Sequence, residues 1–242
     1  MSQPIALVTG ANKGIGLETA RQLAQRGLHV IVASRNRQNG VDAAARLQKD
    51  GLSAEAIELD VTRADSIAAA VRDVEKKHGR LDVLVNNAGI LTDDVAKKPS
   101  EQSLDAWHKS FETNLFAVVA VTQAFLPLLK KAPAARIVNV SSSLGSSTLH
   151  SDPAFAYYNF KVPAYNVSKS ALNAWTVHLA HELKDTPIKV NAAHPGHVQT
   201  DMGGAGAPMK LVDGAKSSVE LALLGPEGPT GAFIHLGESI PW

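Results

Sequence analysis

Seven short apolar runs, separated by longer stretches with a helical period, constrain the fold of this chain more than any other feature. The runs are IALVT at 5–9, LHVIVA at 28–33, SAEAIEL at 53–59, LDVLV at 81–85, ARIVNV at 135–140, PIKVNAA at 187–193 and GAFIHL at 231–236. Those at 30–33 and 83–85 are apolar throughout, as expected for strands covered on both faces. Between the first two lies IGLETARQLAQRG at 15–27, in which Ile15, Leu17, Ala20, Leu23 and Ala24 recur at helical spacing before Gly27 closes the segment. Strands that alternate with amphipathic helices imply right-handed crossovers laid over both faces of a parallel sheet. The pattern therefore predicts an α/β chain with a doubly wound parallel sheet of about seven strands. A single domain over 1–242 is expected, because no repeat, charge block or linker divides the chain. Only 143–163, rich in Ser, Pro and aromatics, and 201–212, DMGGAGAPMKLV, read as irregular, the second as a mobile loop.

Charge and composition exclude several functions. Lys and Arg number 24 against 23 Asp and Glu, so the near-neutral chain offers no field to draw in nucleic acid or an anionic membrane. There is no cysteine, which removes disulfides, thiolate metal sites and thiol nucleophiles together. The first apolar run is too short to span a bilayer and no basic segment precedes it, so a cytoplasmic protein is expected. Of the histidines outside the HPGH at 194–197, only His178 and His181 are close in sequence, and no acidic or thiolate partner completes a metal site around them. No metal is expected.

TGANKGIG at 9–16 follows the first run and opens the first helical stretch, with Gly10, Gly14 and Gly16 at the turn. Glycines there allow backbone N–H groups to approach a pyrophosphate at the positive end of a helix. A plain β–α turn also uses glycine, so it is the position after the first strand that gives the loop its weight. The end of the second run then separates the two dinucleotides. A carboxylate there would hold the ribose 2′-hydroxyl of NAD. This chain reads VIVASRNR, with Ser34 near the acidic position and Arg35 beside it, and Lys13 adds a cation within the glycine loop. Cations favour the 2′-phosphate of NADP, and the missing carboxylate removes a repulsion. The alternative, two merely solvated charges, leaves the absent acid unexplained. The cofactor expected is NADPH/NADP+.

Further segments follow in order: LDV at 59–61, NNAG at 86–89, Asn114 in ETNLF, IVNVSS at 137–142, YNVSK at 165–169 and HPGHVQTDM at 194–202. Together they resemble the short-chain dehydrogenase/reductase superfamily almost end to end. TGANKGIGLETARQLA, LDVLVNNAGI, PGHVQTDM and ELALLGPEGPTGAF are most similar to its NADPH-dependent carbonyl reductases. The resemblance implies a Rossmann-type fold and a catalytic set of Asn114, Ser142, Tyr165 and Lys169. It implies cofactor contacts at Gly10, Asn12, Lys13, Gly14, Ile15, Gly16, Ser34 and Arg35, then at Asp60 and Val61, although Asp60 is equally suited to capping the next helix. Asn87, Ala88 and Gly89 would line the adenosine ribose, with Asn86 more structural. Tyr165, Lys169, Pro195, Gly196, Val198 and Thr200 would surround the nicotinamide. His197 departs from the aromatic apolar residue common in related carbonyl reductases and reads as a loop residue.

The stretch YYNFKVPAYNVSKS at 157–170 contains Tyr-x-x-x-Lys twice, as Tyr157–Lys161 and Tyr165–Lys169. Val162 precedes Pro163 and is pushed out of helical geometry, which confines the first pair to a short turn at most. The second opens the uninterrupted helical run YNVSKSALNAWTVHLAHEL, where residues four apart project from one face. Tyr165 is therefore the expected acid, and 146–163 reads as an insertion before it. Of the serines 141–143, the alignment with the family selects Ser142 over Ser143. Lys169, together with the positive nicotinamide of the oxidised cofactor, is expected to lower the pKa of Tyr165, a shift of about two units being worth roughly 2.7 kcal/mol. The reaction implied is reduction of aldehyde, ketone or quinone carbonyls by hydride from NADPH, with a small-molecule carbonyl substrate. A reductase of a dedicated metabolite such as a 3-oxoacyl thioester, and a non-catalytic NADP(H)-sensing protein, are the alternatives. Monomer and homodimer both suit the sequence.

Overall fold

The structure, a computed structural model, describes residues 3–242. The seven expected strands form within two residues of their expected ends: β1 Ile5–Thr9, β2 His29–Ser34, β3 Ala54–Glu58, β4 Val83–Asn86, β5 Arg136–Val140, β6 Lys189–Ala193 and β7 Phe233–His235. An eighth, β8 Glu238–Ser239, turns back antiparallel on β7 and is too short to leave a periodic signal. The sheet order is β3-β2-β1-β4-β5-β6-β7-β8, with every pairing before the last parallel. This is a Rossmann-type sheet.

Eight helices complete the fold: α1 Gly14–Gln25, α2 Arg37–Lys49, α3 Ala64–His78, α4 Leu104–Phe111, α5 Ala117–Leu129, α6 Ser147–Ser151, α7 Pro163–Glu182 and α8 Leu211–Ala222. The strand period of two divides the core into two layers. Ile5 and Leu7 of β1 pack with Ile67 and Val74 of α3, Phe125 of α5 and Leu179 of α7. Ala6 and Val8 point the other way, to Leu23 of α1, Leu47 of α2 and Val219 of α8. Covering both faces explains why all five β1 residues are buried.

The helical run Leu104–Leu129 is long and apolar enough to cross a membrane by composition alone. Here α5 packs on α3, α4 packs on α7, and the run buries polar Ser110, Asn114 and Thr122 within the fold. The segment expected to be irregular before Tyr165 is partly helical, through α6 and a 3-10 turn at Ser143–Gly145. The second irregular segment holds no regular element over 201–210 and ends two residues earlier than expected, where α8 begins.

Two polar knots set the positions of the strand ends. β1 lies between β2 and β4, so the chain winds outward in both directions from the β1/β4 boundary, where such sheets open a crevice at their carboxyl ends. There the Asn87 and Ala88 N–H groups donate to Thr9 Oγ1 at 2.9 and 3.0 Å, and Asn87 Nδ2 donates to the Thr9 carbonyl at 2.8 Å. Behind them runs a buried ladder. Asn86 Nδ2 donates to Thr122 Oγ1 and Asn139 Oδ1, and Asn139 Nδ2 donates to Thr176 Oγ1, all between 2.9 and 3.0 Å. It ties β4 and β5 to α5 and α7 and lets no rung slip, because each lost partner would strand a buried polar atom. Asn139→Ala is expected to lower the unfolding free energy by about 2–3 kcal/mol in urea titration. A change within about 0.5 kcal/mol, the usual range for a surface substitution, would show that the ladder is not holding the sheet.

Candidate active site

Tyr165 and Lys169 lie in the first two turns of α7, which starts at Pro163 because proline at the first helical position has no N–H to strand. The N-cap residue, Val162, has no capping side chain. Its place is taken by Asp93, from the loop after β4, whose carboxylate accepts the Ala164 and Tyr165 N–H groups at 2.8 and 2.9 Å. A buried anion at the positive helix end fixes the register of the turn that carries the phenol. One turn on, the Lys169 ammonium stands 5.7 Å from the Tyr165 ring centroid and donates to the Val140 carbonyl at 2.8 Å. The loop after β5 rests directly on α7. A β-carbon on Gly145 would come 2.7 Å from Lys169 Cβ, so only glycine allows the approach that sets Ser142 opposite Tyr165.

Asn114 lies within a π turn, Glu112–Phe116, between α4 and α5. The extra residue in that turn interrupts the helical register, a feature common at functional sites. Its amide donates to the Ile90 carbonyl at 2.9 Å and to Ser168 Oγ at 3.0 Å, and its Oδ1 accepts the Ile90 N–H at 2.8 Å. Gly89 is thereby held between two polar groups, for a β-carbon there would lie 3.3 Å from Asn114 Oδ1 and 3.4 Å from Lys169 Nζ. Asn114, Ser142, Tyr165 and Lys169 converge from three separate stretches of chain. All four are buried.

Burial governs the protonation of the pair. It pushes the Tyr165 phenol up to about 12, a rise that the neighbouring Ser142 hydroxyl only moderates. It pulls the Lys169 ammonium down to about 8. Within the protein alone, loss of hydration thus raises the phenol, where the amine and an oxidised nicotinamide together are expected to lower it. A phenol that stays protonated is a proton donor; the amine one turn away is poised to lose its charge just above neutral pH.

A sequence profile described as short chain dehydrogenase matches residues 4–210. The chain belongs to the short-chain dehydrogenase family. It is 34% identical to a carbonyl reductase [NADPH] 1 of Mus musculus over 100% of this chain and 99% of that one. It is likewise 34% identical to a (-)-isopiperitenone reductase of Mentha piperita, with 96% of each chain covered. The structure of an NADPH-bound carbonyl reductase from chicken fatty liver superposes with a TM-score of 0.86 at 28% identity, covering 100% of both chains. These are oxidoreductases, as the family is, and this chain shares their fold.

In this dehydrogenase the glycine loop is closed from behind. A β-carbon on Gly16 would come 2.4 Å from Asn87 Nδ2 and 2.7 Å from the Gly10 carbonyl. Asn12 and Ile15 stand half-buried beside Gly10 and Gly14, and Lys13, the N-cap of α1, supplies no side-chain cap, leaving the first N–H groups of the helix to the crevice. Arg35 is exposed at the end of β2, whereas Ser34 is buried and donates to the Asn36 carbonyl at 2.9 Å. The Lys13 ammonium pairs with Asp201 at 2.5 Å, so the glycine loop is bridged to the 201–210 loop. Asp60 accepts the Thr62 N–H and hydroxyl at 3.0 and 2.7 Å, closing the turn before α3 and not capping it, and Val61 leans on the core. Asn87 spends its amide on Thr9 and Gly10, although Asn86 alone was expected to be structural.

Past β6, Pro195 is buried and the Gly196 N–H donates to His194 Nδ1. Thr200 comes to the glycine loop, its methyl 3.8 Å from a β-carbon on Gly14, while buried Val198 packs against Gly214 of α8. The Tyr157–Lys161 pair does not form. Lys161 turns to the His150 carbonyl at 3.1 Å and lies over the Tyr158 ring, and Tyr157 meets His197 Nδ1 at 3.3 Å. His197 also contacts the Gly203 carbonyl, and with Tyr157 it borders a cavity of about 410 Å³ that includes His194, Gly196, Met209 and His235. Sequence reasoning missed Asp93 and His194. The first caps a helix 71 residues away. The second takes the Ser143 and Gly196 N–H groups on Nδ1 and is held neutral, down to about 3, by burial and the nearby His235. Asp93 belongs to no local pattern, and His194, although it opens HPGHVQTDM, meets Ser143 from 51 residues away.

Burial of Lys169 has a measurable signature. Its folded pKa of about 8 lies below the ordinary 10.5, so between those values the unfolded chain binds more protons and stability rises with pH. The full span is worth about 3 kcal/mol. Lys169→Met removes this penalty, so the Tm of the variant minus that of the parent is expected to fall steadily from pH 7 to pH 10. A difference that does not vary with pH would mean that the amine is solvated.

Proposed function

We propose that this dehydrogenase reduces aldehyde, ketone or quinone carbonyls with NADPH. One observation carries the reading: a buried, protonated phenol, a serine hydroxyl and a lysine amine meet at the mouth of the β1/β4 crevice, beside a glycine loop that leaves N–H groups free for a diphosphate. The fit to a dinucleotide rests on this chain: Gly16 has no room for a side chain, and α1 opens on uncapped N–H groups. When bound, NADPH supplies the hydride. Tyr165 donates its proton to the substrate oxygen as negative charge develops there, and Ser142 donates a hydrogen bond to that oxygen. Lys169 stabilises the resulting phenolate and holds the nicotinamide ribose, and Asn114 keeps a water between Lys169 and solvent. Arg35 favours the 2′-phosphate, and Lys13 joins it once released from Asp201, since an exposed ion pair costs little to exchange. The aromatic insertion over 146–163 and the 201–210 loop flank the substrate, and the aromatic rings of the insertion suit a hydrophobic carbonyl compound.

Tyr165→Phe is expected to cut NADPH-dependent reduction across a carbonyl panel by about 10²–10⁴-fold while fluorescence titration still shows NADPH binding. Tyr157→Phe should keep most of its turnover. Equal losses in the two variants would overturn the assignment of the acid. Arg35→Asp is expected to raise KM for NADPH by about tenfold or more, one to two charge-assisted contacts, with KM for NADH unchanged or lower. Parallel changes for both cofactors would place Arg35 outside the phosphate site.

A further inference from the structure

At the end of the sheet away from the crevice, three side chains from three elements converge: His29 opens β2, Glu55 lies in β3 and His78 ends α3. Their ligand atoms all lie within 4.8 Å of one another. Glu55 Oε1 is 2.7 Å from His78 Nε2 and 3.6 Å from His29 Nε2. The imidazoles are 5.2 Å apart between ring centroids, and side-chain exposure is 19% for His29, 16% for His78 and 26% for Glu55. The group is sheltered, yet open enough to admit a water.

His29 is anchored through Nδ1, 2.8 Å from the Ser53 hydroxyl. Its Nε2 is buried and has no hydrogen-bond partner, facing Glu55 Oε1 across 3.6 Å. Two imidazole nitrogens, one of them anchored through Nδ1, and a carboxylate are donors that suit zinc. Tetrahedral bonds of about 2.0–2.1 Å separate ligand atoms by roughly 3.3 Å; the observed 2.7 and 3.6 Å bracket that span.

We propose that His29, Glu55 and His78 form a binding site for a divalent cation of the zinc type, with water as the fourth ligand. Lys77 holds the other Glu55 oxygen at 3.0 Å and competes with the metal for the carboxylate charge. The site would clamp the edge strand β3 to α3 and β2, far from the reacting groups. It is independent of the proposed reduction.

The test uses the full chain stripped with chelator and titrated with Zn²⁺ by calorimetry and with Co²⁺ by visible absorption, each variant first checked for unaltered circular dichroism. The expected results are one equivalent bound and a tetrahedral Co²⁺ spectrum. His29→Gln and His78→Gln should each weaken binding about tenfold or more. Lys77→Gln should strengthen it, a direction that adventitious chelation by surface histidines does not predict. The proposal fails if no stoichiometric binding is seen, if both histidine variants bind as the parent does, or if Lys77→Gln weakens binding.

Discussion

A lysine amine withdrawn from water is the constraint on which the candidate site depends. Lys169 is buried, and the loss of hydration brings its pKa down to about 8. Such a group persists only where other parts of the fold over-determine its position. Here the Val140 carbonyl accepts from it, Gly145 lets the loop after β5 lie against its stem, and Gly89 leaves open the space between it and Asn114. These partners come from the ends of β4 and β5. The site is therefore a consequence of how the strands finish, and their register is what must be kept.

That register is secured by polar groups and not by the apolar core alone. Apolar layers specify that β1, β4 and β5 are buried, but a hydrophobic surface tolerates small displacements along the strand. The Asn86–Asn139–Thr176 ladder does not, because its bonds are directional and have no solvent to replace them. Thr9 and Asn87 do the same where β1 and β4 diverge, and the amide that braces this crevice also fills the space behind Gly16. Asp93 extends the arrangement to α7 by holding the first N–H groups of that helix from across the crevice. Binding loop, acid and amine are thus referred to one rigid edge.

Charged groups at the rim are held differently. Lys13 and Asp201 are both largely exposed, and their contact joins the glycine loop to the 201–210 loop without a large energetic commitment. Tyr157 and His197 join the aromatic insertion to that same loop. The interior of the site is fixed by buried, directional bonds, and its rim is held by pairs that water can replace.

The sequence by itself determined the sheet, the order of strands and helices, and which tyrosine begins a helix, because each rests on rules that act within a few residues. Alternation set the two core layers, and Pro163 separated Tyr165 from Tyr157 through backbone sterics alone. The choice among the serines came from the family resemblance; in the structure Ser141 turns inward to Asn173 and Ser142 faces Tyr165. Only the tertiary structure decided the protonation of Tyr165 and Lys169, since desolvation depends on everything packed around a group, and a spacing of four residues carries none of that. It likewise decided that Asp93 caps α7, that Asp201 holds Lys13, and that His29 and His78, distant in sequence, share Glu55. Those contacts join side chains that only the closed fold brings within a few ångströms, and no local periodicity marks them.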